Sequence, residues 1–480
     1  MSDNQSRLGS YIRCSVTAGE TYQAFLPPAL PPEPPLDLLP LQGLLSKANQ
    51  ALGKLDAVAD ILPDSNLLLY YYVRKEAVLS SQIEGTQSSL SDLLLHESGE
   101  VTSVPIDDVT EVSSYVAALE HGLKRVREGF PVSLRLIREM HTILLSKGRG
   151  SNKQPGEFRT SQNWIGGSRP GNAAFVPPPP ERLMECLDAL EKYLHQEERP
   201  YTALIDAGLI HVQFETIHPF LDGNGRIGRL LITFFLMMMG DLRQPNLYLS
   251  LFFKNNRQEY YARLSAVRTA GDWEGWLDYF LHGVAETANQ VVATSQAISS
   301  LFKADQEKIA SLKRAGITAG QAHECLQKVA ISNAINMAAA LEVSVPTARA
   351  ALNNLKELGI VKDIAGAGKE RLYVYTGLIE LLEQGGHQGS ILGVSTSANG
   401  FAHLEEAGVN GTKFGNPIDV EILGSQGRSP TGDHSEQGVV VDDVLRGQAC
   451  HRGSTAGNQL DQAFAAQDHQ SLPDWAAAHL

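Results

Sequence analysis

Residues 218–229 read HPFLDGNGRIGR and sit between two strongly apolar stretches, so a polar, glycine-rich loop is enclosed by what must be core. Gly223 and Gly225 would let backbone N–H groups turn toward one point. The following helix begins there with its positive dipole end, which together makes an anion cradle. Arg226 and Arg229 are three apart on that helix, so both guanidiniums could face one side and donate to phosphate oxygens. A triphosphate normally arrives with magnesium, for which Asp222 offers a carboxylate oxygen. His218, with an ordinary pKa of about 6.5, is left at the loop mouth as a base for a hydroxyl attacking phosphorus. A lone histidine before a proline is structural in many proteins. A simple turn between core helices, however, has no need of two arginines, an aspartate and two glycines together, and the parts describe phosphoryl-type transfer.

Such a loop has to be held by its neighbours, and the neighbouring pattern is mainly α. Leu26–Pro40, LPPALPPEPPLDLLP, is too proline-rich for helix and should run as an extended strap. From Leu41 to about Leu95 apolar residues recur at helical spacing, giving antiparallel helices, the second ending near Gly85, which suits the position past a helix terminus. Helices are expected near 107–128, 134–145, 180–196, 201–216, 224–239, 258–266 and 273–292. Between Ser151 and Pro180, Trp164–Ile165 and Ala174–Val176 could pair as a short hairpin. From Ile317 to Tyr375 short helices precede two strands joined by a glycine turn, the pattern of a winged helix-turn-helix. The expected domains are 1–104, 105–292, 300–380 and a poorly structured tail over 386–480.

The 480 residues, 43% hydrophobic and 20% charged, describe a chain that mostly folds, in more than one compact unit. A net charge of -14 argues against generic binding to nucleic acid or anionic membrane, although a local basic face is compatible with it. The apolar run 230–239 is too short to span a bilayer and the polar start lacks a secretory signal, so a cytoplasmic location is the default expectation. Cys14, Cys186, Cys325 and Cys450 lie too far apart in sequence for a zinc-ligand spacing or a disulfide framework, and read as reduced thiols.

The loop matches the pattern His-x-Phe-x-Asp/Glu-Gly-Asn-Gly-Arg-x-x-Arg at every specified position, and the chain from about Leu26 to Tyr375 resembles the Fic family of protein adenylyltransferases. The resemblance implies a helical Fic core with a hairpin flap. It also implies that His218 takes the proton from a target Ser, Thr or Tyr whose oxygen attacks the α-phosphate of ATP, with release of pyrophosphate. Asp222 would hold Mg2+. Gly223, Asn224 and Gly225 would form the anion hole, Arg226 and Arg229 would steady the phosphates, and Phe220 would be a core anchor within the nucleotide-binding segment that includes Pro219 and Leu221. Gly225, where kinase-like members carry lysine, favours nucleotidyl transfer. Ser80–Gly85, SSQIEG, fits the family's inhibitory pattern, so Glu84 would pair with Arg229 and turn ATP from its productive pose. Alternatively, Glu84 would position a water to remove AMP from modified protein, or be a solvated glutamate at a helix end.

The resemblance further places a hydroxyl-bearing target protein on the 164–176 flap by strand addition, with self-modification as a variant. Asn255 and Gln213 would reach the nucleotide, with Tyr260 and Tyr261 as neighbours more suited to packing. A competing reading makes the chain a DNA-binding regulator, with 345–358 as recognition helix and Arg349, Asn353 and Lys356 reaching DNA. Protein contact or homodimer formation would use the same module, and an inactive Fic scaffold is a third reading that the intact loop opposes.

Overall fold

The computed structural model describes residues 7–15, 21–58, 65–99, 104–365 and 371–384. The tail expected over 386–480 lies outside the described residues. The chain opens with an antiparallel hairpin, β1 Ser10–Ser15 and β2 Thr21–Leu26, in the register Tyr11 opposite Phe25. Nothing in the reading above anticipates it. Its residues Ala24 and Phe25 are buried, and Phe25 packs both on Tyr11 across the hairpin and on Phe175 of the distant flap. The proline strap then crosses the core. Buried Arg7 donates to both oxygens of Glu274 at 2.7 and 2.8 Å, to the carbonyl of Pro34 at 2.8 Å and to that of Pro35. Tyr201 accepts from the backbone of Leu36 at 3.0 Å.

Helices α1 Gln42–Val58, α2 Ser65–Ile83 and α3 Leu90–Glu97 form the N-terminal region. Beyond α2, Gly85 has a φ of 102°, a conformation that glycine alone adopts freely, and this turns the chain out of the helix. Helices α4 Ile106–Arg127, α5 Leu134–Leu144 and α6 Pro180–Leu194 surround the central pair α7 Ala203–Ile217 and α8 Asn224–Met238. Every residue of α7 from Leu204 to Ile217 is buried, the mark of a helix enclosed by neighbours on all sides. At Gly208 an added Cβ would come within 3.0 Å of Leu277 and 3.2 Å of Phe280, so a small residue sets that close approach.

Helices α9 Ser250–Asn255 and α10 Arg257–Ala270 follow, then α11 Trp273–Ala310. The short α9 was not expected, and α11 does not stop near Val292. Buried Val291, Ser295, Ile298, Phe302 and Ile309 carry its inner face through 38 residues, with no glycine or proline between Gly283 and its end. The C-terminal module comprises α12 Gly316–Val329, β3 Ile331–Asn333, α13 Ala334–Leu341, α14 Val345–Glu357, β4 Lys362–Ala365, β5 Arg371–Val374 and α15 Thr376–Glu383. Its strands form one antiparallel sheet in the order β3-β5-β4. Tyr375 ties it to α11 by donating to Asp305 at 2.6 Å. Among the described residues no helix is long and apolar enough to cross a membrane.

Candidate active site

Helix α7 ends because His218 turns into the left-handed region, with φ 49° and ψ 61°. A non-glycine residue there is strained, and the surroundings must hold it. Arg159, almost wholly buried, does so: its Nε donates to the carbonyl of His218 at 3.0 Å, its Nη2 to Pro178 at 2.6 Å, and its backbone N–H to Pro219 at 2.9 Å. Asn163 adds bonds to the carbonyls of His218 at 3.1 Å and Phe220 at 2.9 Å. The ring of His218 is half-buried, with Nδ1 3.3 Å from the carbonyl of Glu215. A carbonyl can only accept, so Nδ1 carries the hydrogen and Nε2 keeps its lone pair. Burial, reinforced by the positive charges of Arg159 and Arg268, pushes this imidazole down to about 4. At neutral pH it is a free base.

Phe220 is fully buried and stacks on His141 with ring centres 3.7 Å apart. Gly156 N–H donates to Nδ1 of that histidine at 2.8 Å, so its Nε2–H donates to the carbonyl of Asp222 at 3.0 Å. Asn224 closes the loop on itself, accepting from Phe220 N–H at 2.8 Å and donating to the Phe220 carbonyl at 2.9 Å. The two glycines do different jobs. Gly223, with φ 77°, supplies the turn that starts α8. Gly225 has no positive φ; a Cβ there would collide with the Glu84 carboxylate and crowd Arg229, so its service is space. The N–H of Gly223 is also already taken by Asp222 Oδ1 at 2.6 Å.

The two arginines of α8 have separate partners. Arg226 Nη1 donates to Glu111 of α4 at 2.6 Å and its Nη2 to Asp222 at 3.1 Å, while its buried Nε has no protein acceptor. Arg229 reaches α2, donating from Nε to Ser80 Oγ at 2.8 Å and from Nη2 to Ser80 O at 3.0 Å and Glu84 Oε1 at 2.7 Å. Burial alone would push the Glu84 carboxyl up, but Arg229, Arg226 and His218 outweigh it and hold the group below its ordinary range. Behind this pair lies Glu76, fully enclosed, which accepts from Ser250 Oγ at 2.5 Å and Tyr115 at 3.1 Å. Burial pushes Glu76 up to about 7, against the pull of its hydrogen bonds and Arg229.

Beside the loop the flap is narrower than the expected hairpin: one bridge, Ile165 to Phe175, with bonds of 2.8 and 3.1 Å. Its outer carbonyl, Val176 O, accepts from Phe25 N–H of β2 at 2.9 Å. Trp164 and Ile165 stay exposed on the opposite edge.

The loop residues, Ser80 and Glu84 are thus brought together. Gln213 donates to the strap carbonyl of Pro28 at 2.7 Å. Asn255 is exposed at the end of α9. Sequence reasoning missed Glu111, His141, Arg159 and Asn163, whose partners within the 218–229 loop are 55 to 115 residues away along the chain. No local spacing marks them. For magnesium, Asp222 is partly exposed, with Oδ1 engaged as above and Oδ2 facing Gly150, where a Cβ would come within 2.8 Å of it. One carboxylate oxygen in a space kept open by glycine fits an ion that takes its other ligands from phosphates and water. The described residues hold no cluster of three or more metal-ligating side chains.

Comparison with known proteins finds similarity over the part of the chain that contains this loop. Residues 42–124 match the Fic/DOC family N-terminal region and residues 131–236 the Fic/DOC family itself. The protein adenylyltransferase Fic of Aedes aegypti is 29% identical over 262 residues, covering 51% of this chain and 49% of that protein. The protein adenylyltransferase fic-1 of Caenorhabditis elegans is 30% identical over 188 residues, 38% of this chain and 33% of its own length. A solved Fic family protein from Desulfovibrio desulfuricans G20 aligns over 71% of this chain and 98% of its own, with 19% identity and a TM-score of 0.47. The chain spans half or less of the length of these curated relatives. Between Gln42 and Leu236 the chain is therefore similar to the Fic/DOC family, first to its N-terminal region and then to the Fic domain itself.

Proposed function

We propose that this protein is a protein adenylyltransferase, transferring AMP from ATP to a Ser, Thr or Tyr hydroxyl of a target protein. The observation that carries the reading is a neutral imidazole, His218, at the mouth of a helix start whose first turns hold two buried guanidiniums. The target oxygen forms a bond to the α-phosphorus while the bond from that phosphorus to the bridging oxygen of pyrophosphate breaks. The hydroxyl proton passes to His218 Nε2. The start of α8 and the unpartnered Nε of Arg226 stabilise the negative charge that gathers on the phosphate oxygens. Asp222 would hold magnesium, which when bound neutralises phosphate charge.

Glu84 inhibits by holding Arg229, so the resting site lacks one of its two phosphate clamps. The target segment lies on the exposed Trp164 edge of the flap, since β2 of the same chain takes the Val176 edge. Loading ATP labelled at the α- or the γ-phosphate, with magnesium, onto wild type and Glu84→Gly in the presence of lysate tests the proposal. Protein-bound α-label, stronger in Glu84→Gly, is the expected result; γ-label alone would make the enzyme a kinase and defeat it.

A further inference from the structure

One carboxylate in the site has no task in the scheme above. Glu215, on the last turn of α7 and one turn before His218, is 8% exposed, and its Oε1 is sealed from solvent with no hydrogen-bond partner. No hydrogen bond or ion pair joins its carboxylate to any described residue. A neighbour makes deliberate room for it: a Cβ on Gly228 of α8 would collide with Oε1. Arg229, Glu84 and Arg268 are the charges that act on it, and burial pushes the group up to about 7. An unpaired buried carboxyl destabilises a fold, and such a group calls for an explanation. Here a missing donor supplies one.

We propose that Glu215 is a specificity-determining residue that accepts a hydrogen bond from the nucleoside part of the bound nucleotide. The inference rests on the adenylyltransferase reading. The ionised triphosphate has acceptors but no donors. On ATP the donors are the ribose hydroxyls and the exocyclic amine of adenine. The ribose is joined directly to the α-phosphate, which must lie beside His218, one helical turn from Glu215. Above pH about 7, where Glu215 is ionised, a carboxylate waiting there complements a donor and repels a nucleotide that offers an acceptor in its place.

The test measures equilibrium binding of ATP, 2′-deoxy-ATP, 3′-deoxy-ATP, inosine triphosphate and inorganic triphosphate to the full chain. Each is bound to Glu84→Gly alone and to Glu84→Gly with Glu215→Leu or Glu215→Gln. One analogue should bind about 10- to 100-fold more weakly than ATP, and its identity names the donor. Glu215→Leu should weaken ATP by the same factor, leave that analogue and triphosphate unchanged, and melt at a higher temperature. Glu215→Gln, which keeps shape, should give a smaller loss with the same ranking. Unchanged discrimination in both variants, or an equal loss for every ligand including triphosphate, overturns the assignment. If ATP binds with this selectivity but no α-label is transferred, the adenylyltransferase reading fails and the contact stands.

Discussion

The first turns of α8 and the whole of α14 both carry cations that a sequence reader would offer to phosphate, yet the fold treats them oppositely. On α8, Arg226 and Arg229 have side chains only 1% and 2% exposed, paired with carboxylates that arrive from α4 and from the turn after α2. On α14, Lys356 pairs at the surface with Asp363 of β4 at 2.7 Å, the strand next along the chain, and Asp363 also binds Arg371 at 2.9 Å. Asn353 is occupied as well, accepting from Tyr373 at 2.9 Å. Exposed pairs of that kind contribute little. Buried cations held by distant acids are instead costly to arrange and sensitive to whichever acid is taken away. The number of arginines matters less than who neutralises them and how much water remains.

Replacing His218 should break that contrast most severely. In the Glu84→Gly background, His218→Ala is expected to lower α-label transfer by about 10²- to 10⁴-fold while ATP binding persists, because only the base is lost. A parallel fall in binding would mean the ring packs and does not react. Next in size is the release of Arg229: Glu84→Gly should raise transfer by about 5- to 150-fold, the range of a typical coupling free energy. Arg229→Lys in the same background should return most of that gain, since a point charge does not replace a fork of donors.

A smaller effect appears with pH. His218 is neutral above about 4 and becomes charged as pH falls through that value, so the acid limb of kcat/KM in Glu84→Gly should lie well below the ordinary histidine range. A limb near 6.5 would show a solvated imidazole. The smallest effect is expected on α14. Lys356→Ala with Arg349→Ala should change transfer by less than about 2-fold, in keeping with the modest worth of surface charges. A salt-dependent loss of DNA binding in that double variant would instead give the helix a role as reader.

The 218–229 loop was legible as a string because its pieces act within one turn of chain: Gly223 bends it, Asn224 clasps Phe220, and α8 begins. Helices with a steady apolar period were legible too, within a few residues. Where reading failed, the missing information was nonlocal. The β1–β2 hairpin is pinned to the rest of the chain where Phe25 meets Phe175 and the Val176 carbonyl. Helix α11 runs past 292 because its inner face keeps meeting residues from α12 and α15. Arg159 looks like any loop arginine until its donors are seen gripping the His218 backbone.

By itself, then, the order of residues determined which polar side chains and glycines stand together and which backbone segment presents them, because the loop's geometry is set by neighbours a few bonds away. Only the tertiary structure decided that Arg226 is held by Glu111, that His218 is kept neutral, and that Glu215 is left without a partner. Those outcomes depend on burial and on charges contributed by helices far apart along the chain, and desolvation is a property of the assembled interior that no spacing of letters contains.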